Sequence, residues 1–277
     1  MKEHRLEGMK MENIIRYTKQ ILKGIQIFNK LGIIHSDLKP ENIAITNDNA
    51  KIIDLGSTCF NNFTFFSYIQ SRHYRAPEVS LGMQYSNAID MWSLGCIVAE
   101  MFLGTPIFPA NSSYDLVRRF IDTLGMIPHD LLDKGPKTKE FFKLSKQGDK
   151  KYKLKETFEY EFENNITLEK HKEYLNYTKL EDICMKCQFG LDKKVSTKTR
   201  YKLYDFLKSC FEYNPEQRLT PDQALKHPLL TNEDLENWKK PEREIPFTLF
   251  DSFVCTTSTE TMLKDVFSKQ IKTLNKS

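Results

Sequence analysis

The chain has 277 residues, of which 40% are hydrophobic and 28% charged, enough for one large or two small globular domains with a sizeable core. A formal net charge of only +4 argues against a dedicated polyanion or nucleic-acid partner. Six cysteines scattered through a chain of this length fit a reducing compartment better than a disulfide framework, and Cys184-Met-Lys-Cys187 has no second CxxC or His pair to complete a zinc site.

In chain order, Ile14, Ile15, Ile21, Leu22, Ile25 and Phe28 recur at helical spacing, which predicts a helix over 12–31 stopped by Gly32. Ile43-Ala44-Ile45 and Lys51-Ile52-Ile53 predict two short strands around the turn TNDNA. Residues 56–86 show no sustained period and are read as a long ordered loop. The segment 87–103 is apolar almost all round and predicts a helix buried on every side; it contains Asp90 and Glu100 and is too short to span a bilayer. A third helix is expected at 114–124. Residues 134–200 are Lys/Glu-rich and poorly periodic and read as an insertion with mobile parts. Helices at 201–212 and 221–227 close the fold, the second with Thr220 as N-cap and Pro221 at the first helical position. From 231 the chain turns polar and is read as a tail.

Chemistry concentrates in GIIHSDLKPENIAITNDNAKIIDLGSTCF, residues 32–60. Asp37, in a tight loop, can accept a proton from a substrate hydroxyl. Lys39, two residues on, can neutralise charge on a transferred phosphoryl group. Asn42 offers a neutral oxygen and Asp54 an anionic one, the hard ligands that magnesium takes while keeping waters and phosphates in its other positions.

HSDLKPEN, DLG, APE and DMWSLGC, in this order and spacing, resemble the protein-kinase signature set. YIQSRHYRAPEVSLG and AIDMWSLGCIVAEMFLGTPIFP resemble the dual-specificity tyrosine-regulated (DYRK) family of the CMGC group. The insertion, with KEFFK and KYKLKETFEYEFE, is most similar to its Yak branch. The resemblance covers residues 12–230. It implies a Ser/Thr protein kinase that uses ATP and Mg²⁺, acts on protein substrates, binds neither nucleic acid nor membrane, and works in the cytoplasm or nucleus. Asp37 and Lys39 would be catalytic, Asn42 and Asp54 the metal ligands, and Ala44 would lie under the adenine ring. His35 would be structural, stacked beneath Leu55. Asp90 would hold the catalytic loop by its backbone, and Glu78 and Arg218 would form a buried ion pair. The family's Tyr-x-Tyr stands here as Phe66-Ser67-Tyr68. Tyr68 is therefore the candidate autophosphorylation site, with Arg72 and Arg75 the nearest cations. Ser36 fits the tyrosine-dependent mode, since many kinases carry Arg there.

Only 34 residues precede His35, with no G-x-G-x-x-G and no VAIK-like strand. The sequence therefore predicts a mainly α carboxyl-terminal lobe with one short β-hairpin at the catalytic site. In this reading the amino-terminal lobe is absent, Ala44, Ile45, Ile53 and Leu55 are exposed, and the chain alone has little activity. The competing expectation is a non-catalytic protein that docks partners.

Overall fold

The computed structural model describes residues 8–61, 68–144, 152–169, 176–187 and 195–243. Helix α1 (Met11–Lys30) buries Ile14, Thr18, Ile21, Leu22 and Ile25 on one stripe. It ends at Gly32, whose φ of +67° is the left-handed value glycine adopts without steric cost. Strand β1 (Ile33–Ile34) follows and pairs antiparallel with β4 (Cys59–Phe60). Between them β2 (Ile43–Thr46) and β3 (Asn49–Ile52) form a hairpin with Thr46 opposite Asn49. Its two central residues, Asn47 and Asp48, have φ of +49° and +61°. A two-residue hairpin turn with positive φ at both positions matches the strand twist, and Asn and Asp tolerate it.

The segment after β4 is more structured than its aperiodic sequence suggests. It carries a 3₁₀ turn at Arg72–Tyr74 and a short helix α2 (Pro77–Ser80). The predicted central helix is α3 (Ala88–Leu103), which ends on Gly104 at φ +76°. Trp92, fully buried on α3, stacks on Phe108 at 5.8 Å and meets Phe120 and Phe211 edge-on at 5.1 Å. Gly95 is required there, because a Cβ would lie 2.8 Å from the Phe211 ring.

Helix α4 (Ser113–Leu124) is capped by Ser112, whose hydroxyl accepts from Asp115 N–H. Helix α5 (His129–Lys134) leads into the insertion, which holds α6 (Thr138–Phe141), an antiparallel pair β5 (Phe142–Leu144) and β6 (Tyr152–Leu154), α7 (Thr157–Asn164) and α8 (Leu180–Lys186). Tyr160 of α7 anchors it by stacking on Tyr114 at 4.5 Å. Helix α9 (Thr197–Cys210) begins inside the segment read as insertion. Helix α10 (Pro221–Leu225) starts with a reciprocal capping box between Thr220 and Gln223, and α11 (Pro228–Thr231) follows.

The expectation of a mainly α fold with one hairpin is corrected: the described residues contain six strands in three two-stranded sheets, so the architecture is mixed α/β. Four of these strands are only two or three residues long, too short to leave an alternating pattern in the sequence. No helix among the described residues is long and apolar enough to cross a membrane.

Candidate active site

The loop between β1 and β2 is held from below by α3. Asp90, fully buried, accepts the His35 N–H at 2.7 Å on Oδ2 and the Ser36 N–H at 3.0 Å on Oδ1. Two backbone donors directed at one carboxylate satisfy a buried polar group that would otherwise be costly. Burial nevertheless pushes the Asp90 carboxyl up to about 6, against the pull of those donors. His35 is also fully buried and serves as a spacer: its Nδ1 accepts from Asp37 N–H at 3.3 Å, which leaves Nε2–H to donate to Ile53 O at 3.2 Å. Its ring lies 6.0 Å from that of Phe28. Leu55, expected to sit over His35 in an apolar stack, is 54% exposed.

Asp37 projects from this frame with its side chain 18% exposed. Its Oδ2 accepts from Lys39 Nζ at 2.7 Å, and its Oδ1 accepts from both the N–H and the hydroxyl of Ser71, at 3.0 and 2.8 Å. Lys39 Nζ donates to Ser71 Oγ as well, at 3.0 Å, which closes a three-residue ring. Partial burial raises the Asp37 carboxyl, but Lys39 and Ser71 outweigh it and hold the group below its ordinary value. Asp37 is thus a carboxylate at neutral pH, oriented on both oxygens.

Asn42 joins the acid to the second candidate ligand. Its Nδ2 donates to Asp37 O at 2.8 Å and Oδ2 at 3.3 Å, leaving Oδ1 as its acceptor. Its backbone carbonyl accepts from Ile53 N–H at 2.9 Å, one residue before Asp54. Asp54 is exposed, with φ +62°, and its Oδ1 accepts from Gly56 N–H at 3.2 Å. Beside these groups lies an apolar surface of half-buried Ala44 and exposed Ile45 and Ile53.

The structure also brings in residues that the sequence did not point to. Ser71 is the clearest. Gln70, at φ +62°, donates its N–H to Ser36 O at 3.0 Å and its amide to Ile89 O and Ser93 Oγ, tying the segment after Tyr68 to α3. Ser57 O accepts from the Ser36 hydroxyl. Gln70 and Ser71 lie inside the YIQSRHYRAPEVSLG stretch and Ser57 inside 32–60, but nothing in those stretches marks them as contacts of the site.

Tyr68 is 70% exposed and lies over Arg75, whose guanidinium carbon is 4.1 Å from the ring centroid. Arg75 lowers the Tyr68 phenol, with a smaller contribution from Arg72. Arg75 is fixed by donating to Ile69 O and Gln70 O, whereas Arg72 turns to Asn111 O at 2.7 Å. Phe66 and Ser67 lie outside the described residues. Tyr68, Arg72, Arg75, Ser36 and Asp37 all border a cleft of about 420 Å³. Below it Arg218 meets Glu78 with two parallel bonds of 2.7 and 3.0 Å, both side chains being 0–1% exposed. Arg218 also donates to Glu212 O and Ala88 O, and its guanidinium lies 5.2 Å from the Trp92 ring.

The chain as a whole has relatives among known proteins. The protein kinase domain family model matches residues 2–230. The dual specificity protein kinase YAK1 homolog of Arabidopsis thaliana is 40% identical over 268 residues, covering 89% of this chain and 28% of that protein. Dual specificity protein kinase YAK1 of Saccharomyces cerevisiae is 38% identical, covering 89% of this chain and 32% of that protein. Human dual specificity tyrosine-phosphorylation-regulated kinase 4 is 36% identical, with 82% and 39% covered. The chain thus spans well under half the length of these relatives. Its description as an isolated carboxyl-terminal lobe is corrected by the family match, which runs from residue 2, and by the three sheets beside the helices. The inferences drawn from a missing lobe, of a chain with little activity alone and of a non-catalytic docking protein, lose that premise. The motifs, their geometry and the extent of the match together lead to one statement: the chain belongs to the protein kinase domain family.

Proposed function

We propose that the chain is a DYRK/Yak-like Ser/Thr protein kinase that transfers the γ-phosphoryl group of ATP to hydroxyls of protein substrates. The observation that carries this reading is the Asp37 carboxylate, partly exposed and fixed on both oxygens by Lys39 and Ser71. Phosphoryl transfer leaves the protein little covalent work, so positioning and charge stabilisation dominate. Asp37 would orient the incoming hydroxyl and take its proton. Lys39, 2.7 Å from Asp37, would then stabilise charge on the transferred group.

The described residues contain no cluster of three or more His, Cys, Asp or Glu able to hold a metal. The pair Asn42 and Asp54 suits Mg²⁺, which takes a carboxylate and completes its shell with phosphates and waters. When bound, such an ion would neutralise charge on the phosphates. Ala44 and the neighbouring exposed Ile45 and Ile53 offer an apolar face for the nucleotide base. Tyr68, exposed beside Arg75 and near Arg72, is proposed as a site of tyrosine autophosphorylation whose phosphate those arginines would pair. The catalytic domain is proposed to end near residue 230, with a tail beyond, and its setting to be intracellular, where ATP is supplied.

The test is phosphate transfer from Mg²⁺-ATP to a serine peptide by the purified protein, alongside Asp37→Asn. Transfer lost in the variant supports the reading. Equal transfer by both proteins, or none by either, overturns it.

A further inference from the structure

A second cavity, of about 860 Å³, opens beside the candidate active site. It lies between the 3₁₀ turn carrying Arg72, the first half of α4, and α7 with the residues that follow it. One wall is cationic, formed by Arg72, Arg118 and Arg119. The carboxylate at its base, Asp115, is already engaged: Oδ1 accepts from Arg118 Nη2 at 2.7 Å, Oδ2 accepts from Asn111 N–H at 3.2 Å, and Arg119 Nε stands 3.8 Å away. Arg72 spends Nη1 on Asn111 O. The Nε–H groups of Arg72 and Arg118 are buried and meet no acceptor among the described residues. Buried donors without acceptors are uncommon and call for an explanation. These two are sealed from the cavity itself, so an anion would be met there by the outer guanidinium nitrogens of Arg72, Arg118 and Arg119.

The lining also carries Glu161 and Glu169, of which Glu161 accepts from Leu168 N–H at 2.8 Å. The lining thus sets three carboxylates, Asp115, Glu161 and Glu169, against three arginines, so an anion is favoured only where it lies nearer the guanidinium groups. Continuity with the reacting centre is direct. Arg72 borders both cavities, and the residue before it, Ser71, bonds Asp37. A peptide with its hydroxyl at Asp37 would meet Arg72 on the way to the larger cavity.

We propose that this cavity is a specificity subsite that takes an anionic side chain of the protein substrate, a carboxylate or a phosphate, close in sequence to the hydroxyl being modified. The inference rests on the phosphotransfer reading above. An arginine fork matches both anions by paired charge-assisted bonds.

The experiment uses serine peptides in a neutral background, with one Asp or one phosphoserine walked along both sides of the target. Wild type, Arg118→Gln and Arg118→Lys are compared, with thermal melts to check folding. At one position the anion should raise kcat/KM about tenfold, equivalent to about 1.4 kcal/mol. Arg118→Gln should abolish that gain while leaving the neutral peptide unchanged, and Arg118→Lys should restore part of it. A larger gain from phosphoserine than from Asp would identify the phosphate as the preferred source; the reverse would identify the carboxylate. No gain at any position, or a gain that Arg118→Gln leaves intact, overturns the subsite while the turnover of the neutral peptide still supports the kinase reading. If no peptide is turned over, the kinase reading fails. The subsite is then judged by calorimetric binding of the phosphoserine peptide with Ala at the target: binding weakened by Arg118→Gln supports it, and no binding overturns it. Should Arg118→Gln not fold, Arg118→Lys takes its place, with a weakened but measurable preference expected and an unchanged one overturning the inference.

Discussion

Two ion pairs of like chemistry stand at opposite ends of one structural chain of contacts. Glu78–Arg218 is sealed from solvent, 0–1% exposed, with every guanidinium nitrogen donating to protein. Asp37–Lys39 is 18% and 25% exposed and opens to a cleft. The first has no room for a third participant, whereas the second has a carboxylate and an ammonium that a substrate could reach. Burial, not residue type, separates the pair that builds the frame from the pair suited to chemistry.

Breaking the frame should have the largest effect. Arg218→Ala leaves Glu78 as an uncompensated buried charge and strips Glu212 O and Ala88 O of a donor. Urea unfolding should show a loss of about 3–5 kcal/mol. Replacing both partners by Met should cost less than the single change. If Asp37→Asn destabilises as much as Arg218→Ala, the contrast between the pairs fails.

Asp37→Asn sharpens the comparison from the other side. It should lower kcat by ~10²–10⁴-fold, the contribution usual for a positioned acid–base group. Its melting temperature should stay close to that of wild type, because Asn retains an acceptor for the Ser71 N–H and the site is already partly solvated.

Asp90 links the two regions, and its behaviour with pH separates it from both. Burial raises it from 3.8 to about 6, so the native state binds its proton more tightly than the unfolded chain does. Stability from this group is full below pH 3.8 and is lost as pH rises through about 6. Asn does not titrate. The stability advantage of wild type over Asp90→Asn should therefore shrink from pH 4 to pH 7, by roughly 1–3 kcal/mol. Asp37 has the opposite sign: its lowered carboxyl contributes above the ordinary 3.8 and loses that contribution as pH falls through its folded value. An advantage that grows with pH at position 90 would show that the two backbone donors, not burial, control the group.

What could be read from the sequence follows the same division. Helices α1 and α3 were legible because each repeats its apolar residues over four or more turns, and the α10 cap because Thr220-Pro221 states it chemically. The residues of the candidate site, Asp37, Lys39, Asn42 and Asp54, were singled out through motif spacing. The strand pairs β1–β4 and β5–β6 were not, since two or three residues hold no period. The insertion read as aperiodic because its helices run for four to eight residues and are anchored by single aromatic contacts such as Tyr160 on Tyr114. Ser71 escaped notice for another reason: a serine in a loop carries no signal until the fold brings it across 34 residues to Asp37.

Ser71 also supplies the smallest effect and the finest test of the contrast. Its hydroxyl donates to Asp37 Oδ1 and accepts from Lys39 Nζ, while its N–H holds the same Oδ1 through the backbone. Ser71→Ala removes the hydroxyl bridge and keeps the backbone bond. Asp37 therefore remains anchored on both oxygens, and Lys39 still reaches Oδ2 at 2.7 Å. One net hydrogen bond is worth about 0.5–1.5 kcal/mol, so kcat should fall severalfold, far less than with Asp37→Asn. The lost hydroxyl also helped to hold the Asp37 carboxyl below its ordinary value, so the acid limb of the kcat profile should move to higher pH. Ser71→Thr keeps an oxygen at the same place and should restore both the rate and the limb. A rate loss as large as that of Asp37→Asn would mean that Ser71 contacts the substrate itself. An unchanged acid limb together with full activity would mean that Lys39 alone fixes the carboxylate, and that the Ser71 hydroxyl is not part of what sets the open pair apart from the sealed one.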